Sequence, residues 1–444
     1  MKRTFKISPS QLTALGFLLI ILLGASLLCL PFASNDGNVK FVDALFTATS
    51  ATCVTGLVTL TTATQWTLFG KIIIILLIQT GGLGFMTFIS LSAIIAKRNL
   101  GLHERKIIMQ SSGSLELSEI IKLIKHIAIG TFAFEGVGAL ILFIRFRTLG
   151  HGFITALWYG VFHSISAFCN AGFDILGSNS LIDYQSDPLV LITVSLLVII
   201  GGIGFIVWKD ISTYRLKFQK YRLHSKIVLV TTGILLVFGT FFIYLTERNG
   251  VLSSLSEGDK WLNAFFQSVT LRTAGFDAIG QGALSTGGTT VSIVLMMIGG
   301  SPGSTAGGIK TVAIAVAVLN AISFARNKDN ITIFKKRIHD STVKHACSII
   351  TIYLLMALML VALISVIEAG KGFTLEDIAY EVSSAVATVG LTRGITPLLS
   401  VGSKLILCFA MYFGRLGGLT LLLAIAETPS SARLERPYEK ILIG

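Results

Sequence analysis

Charged residues are scarce in this chain: they make up 13% of its 444 residues, while hydrophobic residues make up 53%. A soluble protein carries about 25% charged residues, because polar groups must cover its surface. The sequence lacks the charge that a soluble fold would need. It does contain long apolar runs, such as 12–31, 72–96 and 349–366. A helix needs about 20 apolar residues to cross the hydrocarbon core of a bilayer, and these runs are long enough to do so. The composition therefore predicts an all-α integral membrane protein.

Cysteine is also sparse, and its spacing excludes two classes of protein. The five cysteines are scattered with no Cys-x-x-Cys pair, which argues against both a disulfide framework and a structural metal site. The net charge of +13 would suggest nucleic acid as a partner of a soluble chain. Here the basic residues lie in the links between apolar runs, so we expect a lipid bilayer as partner and no nucleic acid.

A repeated unit organises the chain. Four short segments of small or hydroxyl-bearing residues lead to a glycine: TCVTGL (52–57), CNAGF (169–173), RTAGF (272–276) and TVGLT (388–392). An amphipathic stretch precedes each segment, at 41–51, 155–168, 260–270 and 375–387. A glycine-rich cluster inside an apolar run follows each one, at 81–85, 201–205, 299–303 and 414–418. Serine lies six residues before the glycine in three of the four units, at Ser50, Ser166 and Ser384.

These features predict a unit made of a long apolar helix, a short half-crossing pore helix, a filter loop and a second long apolar helix. We expect four such tandem repeats around one pseudo-fourfold pore, with eight full spans. The predicted boundaries are 1–100, 101–212, 213–330 with a broken second helix, and 331–444 with a C-terminal tail.

Basic residues give the orientation. They cluster in the three links between units, 97–122, 209–226 and 325–344, and near both ends of the chain. Because positive charge is retained in the cytoplasm, we expect both termini there and all four loops near the outer face.

The four loops are suited to bind a cation. Non-helical backbone at membrane depth is tolerated only where it faces protein or water, so four such loops imply a common aqueous axis. Main-chain carbonyls can replace the water of a cation, and the C-terminal dipoles of the pore helices favour positive charge. The predicted ligands are Val54, Thr55, Gly56, Asn170, Ala171, Gly172, Thr273, Ala274, Gly275, Thr388, Val389 and Gly390. No acidic side chain occupies these positions, so we expect a monovalent ion.

The second helix of the third unit is interrupted by GGSPGSTAGGIKT (299–311), where Pro302 and the glycines disfavour a helix. We expect this segment to form an intramembrane gate below the filter. The predicted gate residues are Gly303, Ser304, Thr305, Ala306, Gly307, Gly308, Lys310 and Arg415.

The roles of three cationic residues stay open. Arg415 either takes part in gating or locks packing by binding a loop carbonyl. Lys310 either faces the pore or reaches the cytoplasmic interface. Arg272 is expected to brace its pore loop, with Asp43 and Glu381 as candidate partners.

Two other functions are less well supported by the sequence. The segment GSTAGGIKT (303–311) resembles a phosphate-binding loop, but it lacks the preceding strand and the soluble domain that this motif needs. No nucleophile–base pair is evident in the spans, so we do not expect an enzyme. A secondary transporter that couples Na⁺ or H⁺ to solute uptake remains the alternative, although such folds use inverted repeats.

One glycine in each of four unequal loops of a single chain resembles the Trk/Ktr/HKT superfamily of K⁺ transporters. The chain is most similar to the bacterial Ktr-type membrane subunit, because the first apolar helix begins near residue 12. The resemblance implies K⁺ uptake across the bacterial cell membrane, with Gly56 typical of the K⁺-selective class. It also implies a homodimer on a cytoplasmic ring of nucleotide-binding subunits, with ATP/ADP and Na⁺ as effectors and no organic cofactor on this chain.

Overall fold

Helices dominate the computed structural model, which describes residues 8–84, 120–215, 217–328 and 330–418. The first unit contains α1 (Pro9–Leu28), α2 (Phe41–Cys53), the short α3 (Thr62–Gln65) and α4 (Leu68–Leu83). The second contains α5 (Ile120–Thr148), α6 (Phe153–Phe168), α7 (Pro188–Gly202) and α8 (Phe205–Tyr214). The third contains α9 (Leu223–Glu247), α10 (Glu257–Thr270), α11 (Thr286–Met297) and α12 (Thr311–Ala325). A hairpin of β1 (Thr332–Ile333) and β2 (Lys336–Arg337) then leads to α13 (Asp340–Ile367), α14 (Leu375–Ala387) and α15 (Val401–Leu416).

The pore helices α2, α6, α10 and α14 lie where the four amphipathic stretches predict them. Their starts follow from local chemistry. Ser256 caps α10 by accepting from the Asp259 N–H, and Thr374 forms a capping box with Asp377 at the start of α14. Such caps satisfy N–H groups that have no partner inside the helix. The predicted all-α repeat architecture is confirmed.

The first helix of each unit provides the long apolar spans. Within the described residues, these four helices alone are long and apolar enough to cross a membrane unaided. Their outward side chains are exposed, for example Leu19 (58%), Ile129 (71%), Val237 (72%) and Leu358 (67%). A surface this apolar is stable against lipid and not against water.

The second helices differ from the expectation that only the third unit is interrupted. In the second unit, α7 and α8 are separated by a bend of 97°. Gly204 in the bend has φ 94°, a conformation that glycine adopts without the strain of a Cβ. The Phe205 N–H donates to the Gly303 carbonyl (2.9 Å), so the next unit satisfies the freed backbone. The predicted uninterrupted helix over this segment is therefore wrong.

The units pack as a closed ring. The second helix of each unit contacts the pore helix of the next: α4 packs on α6, α7 on α10, α11 on α14, and α15 on α2. The last contact returns from the fourth unit to the first and includes an ion pair between Lys404 Nζ and Asp43 Oδ1 (3.0 Å). Because the contacts close on themselves, all four pore helices surround one central axis.

Three units share a joint between the end of the first helix and the start of the second. Glu247 accepts from the backbone N–H (3.1 Å) and hydroxyl (2.6 Å) of Ser285, and Glu368 accepts in the same way from Ser400. In the second unit the carboxylate belongs to the second helix instead of the first. Asp187 caps α7, and Arg145 on α5 donates to the Asp187 carboxylate (2.7 Å).

Candidate functional site at the four glycine loops

The glycines of the four loops lie against one another in sequence order. A methyl group on Gly56 would lie 2.5 Å from the carbonyl oxygen of Ala171 in the second loop. One on Gly172 would lie 2.5 Å from the carbonyl oxygen of Ala274 in the third. These separations are far shorter than a carbon–oxygen contact allows, so a side chain at either position would displace the backbone of the neighbouring loop.

The ring closes through the third and fourth loops. A methyl group on Gly275 would collide with the Val389 carbonyl, and one on Gly390 would collide with the Thr55 carbonyl of the first loop. The Gly275 methyl would also lie 3.2 Å from Thr55 O and 3.2 Å from the Cα of Gly172. Gly275 thus borders all three other loops. The predicted filter residues therefore lie together around a single narrow axis.

The loops share a backbone conformation. The glycine and the residue two positions before it both have positive φ: Val54 (57°) and Gly56 (101°), Asn170 (59°) and Gly172 (65°), Thr273 (70°) and Gly275 (84°), Thr388 (54°) and Gly390 (97°). A side chain in the left-handed region costs about 1–2 kcal/mol, so four such residues at equivalent positions require support from their surroundings.

Pore-helix hydroxyls and carbonyls bind the N–H groups of the first and fourth loops. The Thr55 N–H donates to the Ser50 carbonyl (2.8 Å), and the Gly56 N–H donates to the Ser50 hydroxyl (3.0 Å). Val389 and Gly390 bind Ser384 in the same way (2.8 and 3.0 Å). These bonds fix the two loops whose Thr55 and Val389 carbonyl oxygens lie against the glycines of neighbouring loops.

The second and third loops use the hydroxyl in the opposite sense. The Ser166 hydroxyl donates to the Phe173 carbonyl (2.7 Å), just beyond the glycine. In the third loop Thr270 takes this role and donates to Phe276 O (2.8 Å). The sequence pattern does not identify Thr270, because it lies five residues before its glycine and not six.

The glycine-rich clusters of the second helices provide room behind the pore helices. A methyl group on Gly81, Gly201 or Gly414 would collide with the carbonyl oxygen of Thr52, Phe168 or Val386, respectively. Each of these carbonyls belongs to the residue four positions before a filter glycine. The clusters therefore set how closely each pore helix approaches the axis.

The interrupted segment between α11 and α12 lies directly beside the filter. Its neck is closed by a bond from the Gly299 N–H to the Ile309 carbonyl (2.9 Å). The Thr305 hydroxyl lies 3.2 Å from both the Phe168 carbonyl and the side-chain amide of Asn170. Gly307 packs so closely on Thr388 that a methyl group there would collide with the threonine hydroxyl. The segment thus touches the second and fourth loops.

Two predicted gate cations bind main-chain carbonyls of this segment. Arg415 donates to the carbonyls of Thr305, Gly81 and Gly82, the last at 3.1 Å. It therefore ties the interrupted segment to the C-terminal end of α4. Lys310 donates to the Ala306 carbonyl (2.7 Å), which holds its ammonium against the segment.

The partners predicted for Arg272 are wrong. Asp43 pairs with Lys404, and Glu381 accepts from the hydroxyls of Thr392 and Thr396. Arg272 instead lies 3.5 Å from the Gly299 carbonyl at the neck of the interrupted segment. No sequence pattern predicts this contact, since the two residues belong to different elements.

Side-chain metal ligands are not clustered anywhere in the described ranges: no three His, Cys, Asp or Glu residues lie close enough to hold an ion. A ring of main-chain oxygens lined by helix C-termini is the arrangement that suits a weakly held monovalent cation. The fold and the ring together define a pore-loop membrane protein.

Comparison with known proteins places the chain in a family. The family model described as "TrkH: Cation transport protein" matches residues 17–436, and the chain belongs to this family. It is 40% identical to the potassium/sodium uptake protein NtpJ of Enterococcus hirae over 99% of this chain and 98% of that protein. It is 36% identical to the Ktr system potassium uptake protein B of Bacillus subtilis over 99% of this chain and 97% of that protein.

A solved structure has the same fold. The crystal structure of the potassium transporter TrkH from Vibrio parahaemolyticus aligns with a TM-score of 0.74 at 18% identity, covering 96% of this chain and 86% of that one. Together the family, the repeats and the spans identify a multi-pass membrane protein of a cation transport family.

Proposed function

We propose that this chain forms a K⁺-selective pore for K⁺ uptake across the bacterial cell membrane. The observation that carries the proposal is the closed ring in which each filter glycine lies against the carbonyl that precedes the next. Partial negative charge from these oxygens and from four pore-helix C-termini replaces the hydration of a cation. The membrane potential drives inward movement, at about 2.3 kcal/mol per charge per 100 mV.

The choice of K⁺ is supported by the relatives. The proteins from Enterococcus hirae and Bacillus subtilis are named for potassium or potassium/sodium uptake, and the first loop here carries Gly56 where a side chain would obstruct the ring. We therefore assign K⁺ as the ion taken up, with the loop carbonyl oxygens offsetting the loss of its hydration.

The interrupted segment 299–310 is proposed to be the gate. It contacts the filter through Thr305 and Gly307, and Arg415 fixes it to α4. Opening then requires that the segment leave the axis, which breaks the contacts of the Arg415 guanidinium.

A cytoplasmic regulatory partner is proposed to dock on two basic links that touch each other. The rings of Phe218 and Phe334 pack edge to face at 6.1 Å, and the Lys226 ammonium lies 5.8 Å from each ring. Links 209–226 and 325–344 thus form one basic and aromatic surface, suited to an acidic protein face. We assign to this surface a ring of ATP- or ADP-binding subunits, which lies beneath a homodimer of this chain. Na⁺ is proposed as a further effector, and both termini are proposed to lie in the cytoplasm.

Ion flux into liposomes that contain the purified full-length chain tests the proposal. We expect Rb⁺ to enter much faster than Na⁺, and the change Gly56→Ser to reduce this preference, because its side chain meets the Ala171 carbonyl. Gly136→Ser is the matched control, since no atom of the described residues lies within 4 Å of a methyl group at that position. Equal entry of Rb⁺ and Na⁺ in the unaltered protein would refute K⁺ selectivity.

A further inference from the structure

The interrupted segment is surrounded by three positive side chains, Arg272, Lys310 and Arg415. Among the ion pairs formed by the described residues, none includes any of the three. A buried charge without a partner is strongly unfavourable, so each of these cations needs compensation from its surroundings.

The three cations are compensated to different degrees. Arg415 binds three carbonyl oxygens, and Lys310 binds one at 2.7 Å. Arg272 makes a single long contact of 3.5 Å with Gly299 O, and its Nε has no partner among the residues that the structure describes. It is nevertheless the most buried of the three, at 8% exposed. The guanidinium of Arg272 is therefore the group that most lacks a counter-charge.

Arg272 lines a small cavity between the second and third units. The walls come from Val198 on α7, Leu236 on α9 and Gly300 of the interrupted segment, with room for about one water-sized particle. Thr232 on α9 also faces the cavity. It is 5% exposed, and its hydroxyl has no hydrogen-bond partner within the described part of the chain. Two unsatisfied polar side chains thus line one cavity, which Asn170 of the second filter loop also borders.

We propose that this cavity binds one small monovalent anion of halide size, chloride in the cell. The Arg272 guanidinium supplies the charge and N–H donors, and the Thr232 hydroxyl supplies a further donor. The space has room for about one small particle, which excludes larger oxyanions. The site does not depend on which cation passes through the filter.

The position of the site connects the two parts of the proposed pore. Arg272 directly precedes the third filter loop, while Gly299 and Gly300 belong to the neck of the interrupted segment. An anion bound between the filter loop and the neck neutralises the positive charge of Arg272. The Arg272 side chain then keeps its place beside both. It also fixes the distance between the filter loop and the neck.

Bromide provides a direct test with the full-length protein. Crystals grown in bromide should show one anomalous peak within hydrogen-bonding distance of Arg272 and Thr232. In parallel, the unfolding temperature should rise saturably when gluconate is replaced by chloride at constant ionic strength and constant K⁺ concentration.

Variants assign the effect to the cavity. Thr232→Val should raise the chloride concentration for half-maximal stabilisation roughly tenfold, because a hydrogen bond to a charged group is lost. Thr240→Val on the same helix is the control, since its hydroxyl donates to the Leu236 carbonyl one turn earlier. Arg272→Gln should abolish the chloride response, while Arg145→Gln, which removes a partner of Asp187, should leave it unchanged.

The unaltered protein alone can overturn the proposal. Absence of a bromide peak, together with equal unfolding temperatures in chloride and gluconate, would mean that the cavity holds water only. If Arg272→Gln does not fold, the comparison of Thr232→Val with Thr240→Val decides, and equal chloride responses in the two would reject the site.

Discussion

Ser384 and Ser50 hold filter glycines through single hydroxyl oxygens. Each is fully buried and accepts the N–H of the glycine six positions later. The change Ser384→Ala should leave the Gly390 N–H buried without a partner, which costs about 1–3 kcal/mol. We expect a lower unfolding temperature and a smaller ratio of Rb⁺ to Na⁺ flux.

Ser26→Ala serves as the comparison, because the Ser26 hydroxyl is exposed and binds only Leu22 O in its own helix. If Ser384→Ala and Ser26→Ala have the same flux ratio, the hydroxyl does not support the filter.

The sequence predicts much of the site at this scale, but not its partners. Spacing identifies the four glycines and Ser50, Ser166 and Ser384, because loops with a common shape need support at the same offset. It misses Thr270, where the supporting hydroxyl is shifted by one position. It also assigns the wrong partners to Arg272, since its contact with Gly299, 27 residues further on in the same unit, leaves no periodic signal.

At the scale of a structural element, the clearest prediction concerns the interrupted segment. Arg415→Gln removes the charge that binds the Thr305, Gly81 and Gly82 carbonyls. Because that contact holds the segment beside the filter, we expect basal Rb⁺ flux to rise. Replacing residues 304–308 with alanine should act in the same direction.

Arg145→Gln is a matched control far from the segment, where the arginine pairs with Asp187. Unchanged flux in Arg415→Gln and in the alanine variant would remove the gate from the proposal, while leaving the filter ring untouched.

The joint between α13 and α15 should depend on pH. Glu368 lies just beyond the span of α13. Burial would raise the pKa of its carboxyl, but the Lys371 ammonium and the hydroxyls of Ser400 and Ser403 outweigh it and hold the pKa at about 2. An unfolded glutamate titrates near 4.3, so the stabilisation is complete above about pH 4.3 and is lost as the pH falls toward 2.

We therefore expect Glu368→Gln to lower the free energy of unfolding by about 1–2 kcal/mol at pH 7, with the difference from the unaltered protein shrinking below about pH 4.3. Thermal unfolding of both proteins across this range measures it. Glu257→Gln, at an exposed pair with Lys260, should show little change; a constant difference for Glu368→Gln at all pH values would contradict the assignment.

Prediction from sequence is uneven across the elements. The pore helices follow from amphipathic stretches and hydroxyl caps, and the break before α12 follows from Pro302 and its glycines. The 97° bend between α7 and α8 is not foreseen, because Gly204 could equally serve close helix packing. Its bend depends on the Gly303 carbonyl of another unit, which local sequence does not reveal.

For the molecule as a whole, the contact between the fourth and first units closes the ring. The Lys404 and Asp43 side chains meet at 3.0 Å and are 13% and 14% exposed. A double-mutant cycle with Lys404→Met and Asp43→Asn should give a coupling of about 1 kcal/mol in the free energy of unfolding. A cycle on the more exposed pair of Arg337 and Asp340 is the reference and should give less.

If the two cycles give equal coupling, the pair between Lys404 and Asp43 contributes no more to closure than a surface contact. The order of the units around the axis follows from the chain, but which residues join its two ends could not be predicted, because Asp43 and Lys404 are separated by 361 positions.

The four loops are unlike one another and belong to one polypeptide. In an assembly of identical subunits, one altered codon changes every side of the central axis at once. Here a replacement at Asn170 or Thr388 alters a single quadrant and leaves three as they were. Ion preference in such a protein can therefore change one loop at a time. Each change is small enough for the other three loops to keep the pore conducting.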